Sequence, residues 1–336
     1  MDPLSHGLTG ALCARTASGP ASRGWTAAVG ALAGMAPDLD GFIRSESDPL
    51  VYLQYHRHFT HALAFVPVGS LACAALLWLA LRRKLSFWRV WLFAFLGMLP
   101  HGLLDAFTSY GTSLWWPFSE ERVSWSWVSV VDPLYTLPLA GFLVAALWRR
   151  KGTRTPAFLG LAWAAGYLAL GGFQLHRAEE ALRELARERG SEPVRLEAKP
   201  AVFVNFLFRG IYEAGGRYSV DAVRVGWFSR PIVYEGGSVA VPEEAELFAG
   251  LEPGDAAYRS IERFRFFCQG LVYQVDGDPD RLGDLRYSML PNSLEPLWLI
   301  EVGRDRPDAP GVYVVRRDID QEKRERFWRM LLGRQD

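Results

Sequence analysis

Apolar runs dominate the first half of the chain and then stop. Pro3 to Ala14 and Trp25 to Pro37 are short apolar stretches, below the roughly 20 residues that a full membrane crossing needs. Leu63 to Leu81 is free of charge and closes on Arg82, Arg83 and Lys84. Phe87 to Leu104, Leu134 to Trp148 and Pro156 to Leu175 follow as further apolar runs. This pattern predicts about six helices, the first two tilted or half-crossing and packed through small residues. After His176 the pattern changes. Arg177 to Gly190 is charged, with Leu182 and Leu185 on one helical face, and predicts a stalk. Between Ala201 and Arg317, short runs rich in Val, Phe, Tyr and Trp are split by Gly, Pro and Asp, as in an antiparallel sheet. Asp320 to Leu332 predicts a closing helix. The expected fold is therefore mainly α: a polytopic helical membrane bundle over 1–175, a helical stalk over 176–200, and a small α+β soluble domain over 201–336.

Charge sharpens this reading. The chain has no net charge, which gives no reason to expect a nucleic-acid partner. If each segment crosses once, Arg15, Arg23, Arg82, Arg83, Lys84, Arg89, Arg149, Arg150, Lys151 and Arg154 fall on one side. Asp2, Asp38, Asp40, Glu46, Asp48, Asp105, Glu120, Glu121 and Asp132 fall on the other, with His6, His56, His58, His61 and His101. The basic side is expected to be cytoplasmic. The expected location is a bacterial-type inner membrane, multi-pass, with the histidines and the C-terminal domain on the non-cytoplasmic side. Ten of the 13 tryptophans precede residue 177, many beside apolar runs, where rings favour the membrane interface. No basic start, long apolar core and cleavage site marks a signal peptide. Three cysteines make a disulfide framework unexpected.

The candidate chemistry sits at the end of an apolar run, in LPHGLLDAFTSYGT. On a helix, His101 and Asp105 share a face one turn apart. Alone, such a pair also fits a packed histidine and a cap. An aspartate at membrane depth costs about 2.5–3.5 kcal/mol, however, so it needs a partner or a task. YHRHFTHA brings His56, His58 and His61 within six residues, and imidazole is a common zinc ligand. A pH-sensing cluster is the alternative. Asp38 and Asp40 in APDLDGF fit turn chemistry, or a carboxylate ligand or base for a metal-activated water. His6 lies on the first short helix, on the same side by topology. Asp132, before Pro133, fits an N-cap. Mixed His and Asp ligands suit zinc, manganese or iron(II), and more than four candidates suggest two or more ions. Arg57 and Arg122 could hold an anionic phosphate or be plain surface charges.

HGLTGAL, PDLD, HRHFTHA and HGLLDAFTSYGT followed by WPF, with VDPLYTLPL, occur in an order that resembles the YdjM-like family of inner-membrane metal-dependent hydrolases. The resemblance covers about residues 1–175. That family is distantly similar to zinc-dependent phospholipase C and P1-type nucleases, whose HxxxD helix pair His101 and Asp105 match. The phospholipases' N-terminal tryptophan ligand has no counterpart here, which leaves the ion count open. The resemblance implies phosphoester hydrolysis.

The expected function is thus an integral-membrane metal-dependent hydrolase. Its metal ligands would come from His6, Asp38, Asp40, His56, His58, His61, His101 and Asp105. Asp40 would orient the attacking water, and Arg57 and Arg122 would steady the phosphate. A phospholipid or lipid-linked phosphate at the outer face is the natural substrate, and membrane lipids are the expected surroundings. The alternatives are a metal-binding membrane sensor or a partner-binding protein without catalysis. The absence of HExxH disfavours a zincin-type protease. A through-path for a transporter lacks acidic groups on the basic side.

Overall fold

The structure is a computed structural model that describes residues 1–19, 22–148, 153–227 and 229–334. Arg149, Arg150 and Lys151 lie outside the described residues, as does the side chain of Arg23. The chain divides into two compact units. One comprises Met1–Ile43, Tyr55–Gly172 and Val202–Val204; the other comprises Arg44–Gln54, Phe173–Ala201 and Asn205–Asp336.

The first unit is helical. Its helices are α1 (Pro3–Thr16), α2 (Arg23–Met35), α4 (Val66–Leu81), α5 (Phe87–Ala106), α6 (Pro133–Trp148) and the start of α7 (Thr155–Glu188). The short α3 (Val51–Tyr55) comes between α2 and α4 in the chain, and its residues up to Gln54 belong to the second unit. Asp2 caps α1 by accepting from the Ser5 N–H at 3.0 Å, and Asp132 caps α6 by accepting from the Leu134 N–H at 3.0 Å. Among the described residues, Leu63–Leu81, Phe87–Ala106 and Thr155–Glu188 are long and apolar enough to cross a membrane; α6 is apolar but shorter. Large apolar side chains such as Leu76, Leu79 and Leu137 point outward on α4 and α6, as expected where lipid replaces water.

α1, α2 and α5 meet through glycine. A Cβ on Gly30 would lie 2.5 Å from the Gly10 carbonyl oxygen, and one on Gly97 would lie 2.4 Å from that of Gly30. Only hydrogen fits there, so these three backbones touch. This close crossing fixes the ends of the helices relative to one another. At one end, Arg15 donates to Ser18 Oγ at 2.5 Å, Arg154 donates to the Ser18 carbonyl at 3.0 Å, and Lys84 sits 3.8 Å from the Trp25 ring centre. At the other end lie Asp2, Asp38, Asp40, Asp105 and Asp132. The 20 residues of α5 separate the two ends by about 30 Å.

The second unit is α+β. β1 (Arg195–Pro200), β2 (Leu207–Ala214), β3 (Arg217–Arg224) and β4 (Ile232–Ala240) form one antiparallel sheet in sequence order. Gly215 and Gly216, both at positive φ, make the two-residue hairpin turn between β2 and β3. After α8 (Glu244–Leu247) and α9 (Ala256–Phe267), the strands β5 (Val272–Gln274), β6 (Arg281–Asp284), β7 (Trp298–Glu301) and β8 (Val312–Val315) form a second antiparallel sheet, and α10 (Gln321–Leu332) closes the chain. Ile211, Tyr218 and Val220 of the first sheet share a core with Tyr273 and Leu299 of the second and with Leu271 just before β5. No break separates the last apolar helix from the charged segment expected to be a stalk. α7 runs through both, and Leu182 is fully buried in a core with Phe208, Tyr212 and Val223. Its leucine face is the face of a core helix.

Candidate metal centre

The centre is assembled where helices end. Near the end of α5, His101 and Asp105 stand one turn apart, with His101 Nε2 3.9 Å from Asp105 Oδ2. Both are buried. The close approach of α2 brings the Gly34 carbonyl to 2.6 Å from His101 Nδ1, so this nitrogen carries the proton and donates. His6 of α1 stacks on the His101 ring at 3.7 Å between centres, and its Nε2 lies 3.1 Å from Asp105 Oδ1. The amino group of Met1 also lies against Asp105 Oδ1.

Two short 3-10 helices bring in the rest. Ala36–Phe42 continues from α2 and carries Asp38 and Asp40; Phe59–His61 carries His61. The second is seated directly on α5, since a Cβ on Gly102 would lie 2.0 Å from the His61 carbonyl oxygen. His61 Nε2 thereby reaches 3.1 Å from Asp105 Oδ2 and 3.5 Å from Asp38 Oδ1. His101 Nε2 is 3.6 Å from the same Asp38 oxygen.

Ligand atoms of His6, Asp38, His101 and Asp105 all lie within 4.8 Å of one another, and this buried cluster could hold a metal ion. The donor set fits one. Tetrahedral bonds of about 2.0–2.1 Å place neighbouring ligand atoms roughly 3.4 Å apart. The spacings of 3.1, 3.5, 3.6 and 3.9 Å among His61, His101, Asp38 and Asp105 bracket that value. His61 Nε2, His101 Nε2, Asp38 Oδ2 and Asp105 Oδ2 are also buried without a hydrogen bond among the described residues. Two imidazole nitrogens buried without a hydrogen bond, facing two carboxylates, are costly unless something binds them.

Around this set sits an outer layer. Asp40 is expected from the sequence to be a ligand or a base for water, but both its oxygens are taken. Oδ1 meets His56 Nδ1 at 2.8 Å; Oδ2 accepts from the Arg57 N–H at 3.0 Å and the Thr60 hydroxyl at 2.7 Å, and meets His61 Nδ1 at 3.1 Å. Asp40 therefore orients His61, leaving Nε2 with its lone pair toward the cluster. Burial alone would raise the Asp40 carboxyl, but the hydrogen bonds from His56 and His61 hold it well below the usual range. His56 pairs with Asp40 rather than entering the cluster. His58 packs elsewhere: its ring neighbours are Tyr55, Phe59 and Trp116.

The two arginines are buried, which removes the surface-charge reading. Arg57 Nε lies 3.2 Å from Asp105 Oδ2, and its Nη1 donates to Thr108 Oγ1 at 2.8 Å. Arg122 donates to the Gly111 carbonyl at 2.8 Å and so pins the loop after α5. Asp132 accepts from the Tyr167 hydroxyl at 2.9 Å and stays apart from the cluster; burial pushes its carboxyl up to about 6.

Sequence reasoning missed Thr60, Thr108 and the Gly34 carbonyl. Thr60 precedes a histidine in HRHFTHA, which was the only signal. A backbone carbonyl leaves no sequence trace.

The profile of the YdjM inner membrane protein family matches residues 1–178. Over 156 residues the chain is 31% identical to the uncharacterized protein YfhP of Bacillus subtilis, covering 46% of this chain and 45% of YfhP. Over 119 residues it is 36% identical to the inner membrane protein YbcI of Escherichia coli, covering 29% of this chain and 68% of YbcI. The chain thus aligns with less than half the length of YfhP. No solved structure matches.

Proposed function

The chain belongs to the YdjM inner membrane protein family, and from that premise we propose that it is a multi-pass, metal-dependent hydrolase of phosphoesters. The observation that carries this reading is the convergence of buried ligand atoms from His61, His101, Asp38 and Asp105, spaced 3.1, 3.5, 3.6 and 3.9 Å in the contacts that join them. His6 stands beside them as a fifth candidate. Three imidazoles and two carboxylates, with no thiolate, favour zinc, with manganese and iron(II) as the other candidates. When bound, such an ion supplies Lewis acidity and lowers the pKa of water.

The chain's own residues do the rest. The Gly34 carbonyl fixes the His101 tautomer, and Asp40 with Thr60 fixes that of His61, so both rings present Nε2. Asp38 and Asp105 balance the charge of a divalent ion. Arg57 adds a fixed positive charge against Asp105, which favours an anionic substrate over a neutral one. The HxxxD pair resembles that of the zinc phospholipases and supports phosphorus rather than carbon as the centre attacked. Segregation of Arg15, Lys84, Arg89 and Arg154 at the opposite end supports a cytoplasmic basic end and a centre on the other side.

The test is elemental mass spectrometry of the detergent-purified chain, followed by a screen of phosphomonoesters and phosphodiesters. At least one zinc or manganese ion per chain and hydrolysis lost in His101→Ala are expected. A folded chain without metal would refute the reading. Bound metal with no hydrolysis across the screen would favour a metal sensor.

A further inference from the structure

The segment that supplies Asp38 and Asp40 has a second face. Ala36–Phe42 is a 3-10 helix, so residues three apart share a side. Pro37 and Asp40 are buried on the inner side. Leu39 and Phe42, on the outer side, are 63% and 81% exposed. The loop after α5 repeats the arrangement. Residues 107–119 carry no charge, and within them Trp115 is 46% and Phe118 is 88% exposed. Both segments flank the buried cluster. The Thr112 N–H and C=O pair with Val123, and the Ser113 N–H donates to the Arg57 carbonyl, which anchors the loop against the histidine segment.

Exposed apolar rings in water need a cover, and the fold supplies one. The span Phe87–Ala106 ends directly at the loop. The Leu63 N–H, at the start of the span Leu63–Leu81, donates to the Leu114 carbonyl of that loop at 3.1 Å, and Asp40 ties the 3-10 helix to Arg57 and Thr60 just before that span. A 20-residue helix matches the ~30 Å hydrocarbon core, so whatever follows Ala106 or precedes Leu63 lies at headgroup depth. Aromatic rings are enriched at that depth.

We propose that Leu39, Phe42, Trp115 and Phe118 form a rim inserted into the headgroup and upper acyl layer of the bilayer, and that the metal centre takes a lipid-borne phosphoester from that layer. The rim stands on its own geometry; the substrate half rests on the hydrolase reading. One short helix then does two tasks, since the turn that aims Asp38 and Asp40 inward aims Leu39 and Phe42 at the lipid.

The test uses the full chain in vesicles of phosphatidylethanolamine and phosphatidylglycerol. The photoreactive phenylalanine analogue p-benzoylphenylalanine replaces Phe42 or Phe118, one at a time. Irradiation is expected to add the mass of a phospholipid at both positions. Adducts to protein only, or none, would overturn the rim. The second arm compares Phe42→Ser/Phe118→Ser with the unaltered chain on vesicle phospholipid and on soluble bis(4-nitrophenyl) phosphate. A loss of at least about tenfold on vesicles, with metal content and the soluble reaction unchanged, is expected. Equal loss on both substrates, or loss on neither, would overturn lipid delivery. If the lipid adducts form but the unaltered chain cleaves neither substrate, the hydrolase reading fails and the rim stands.

Discussion

Gly102→Ala tests the geometry without removing a single ligand. The added Cβ would lie 2.0 Å from the His61 carbonyl oxygen, against 3.4 Å or more for ordinary contact. The obstacle is backbone, so it cannot swing aside. The 3-10 helix carrying His61 must retreat by about 1.4 Å, or α5 must bend by as much. Metal–ligand distances tolerate only about ±0.2 Å. We expect metal affinity to fall by at least the ~10- to 100-fold that follows loss of an outer-layer partner. Local propensity works in the opposite direction, since alanine is favoured over glycine in a helix by roughly 1 kcal/mol. A metal loss therefore cannot come from weakened helix formation. Gly141→Ala, on α6 with nothing within 4 Å of its Cβ position, is the matched control and keeps its metal. Competition with a chelator, read by elemental mass spectrometry, gives the affinity; circular dichroism and gel filtration in detergent report the fold. If Gly102→Ala binds metal as tightly as the unaltered chain, the seat of His61 on α5 is not what builds the site.

Four further outcomes follow from the same structure. His61→Ala and His101→Ala lose bound metal while His58→Ala keeps it, because His58 faces Tyr55, Phe59 and Trp116; equal loss in all three would contradict this ligand set. Asp40→Asn lowers metal affinity by about 10- to 100-fold without abolishing binding, and complete loss would make Asp40 a direct ligand. Burial raises Asp132 from the ordinary 3.8 to about 6, so its favourable effect is full below about pH 4 and fades as pH rises toward 6; the difference in melting temperature between Asp132→Asn and the unaltered chain should shift across that window, and a flat difference would refute the raised pKa. In the second unit, Asp284→Ala removes the carboxylate 2.8 Å from buried Arg286 and 2.7 Å from Trp298 Nε1, and destabilises that unit by about 3–5 kcal/mol in a chemical denaturation series.

Much of the fold was legible. Apolar runs broken by basic clusters marked the helices of the first unit, and the alternating Val, Phe and Tyr runs marked an antiparallel domain. Hydropathy reads these because burial and lipid contact act on each segment separately. The charged helix after His176 misled for the same reason: its leucines read as a modest stripe, and only the strands packed on Leu182 show it to be core. The two sheets, where one was expected, arise from a core shared across the chain.

The sequence by itself determined that histidines and aspartates gather at one end of a helical unit, because helix direction and charge segregation fix which residues share an end. It also paired His101 with Asp105, since helical spacing alone makes that face. Only the tertiary structure decided the division of labour among them. His6, Asp38 and His61 join the pair because Gly10, Gly30, Gly34, Gly97 and Gly102 let backbones touch, while Asp40 and His56 are held in an outer layer and His58 is turned away. Residue type sets what a side chain can bind, but the approach of one backbone to another, within tenths of an ångström, sets which atom it meets.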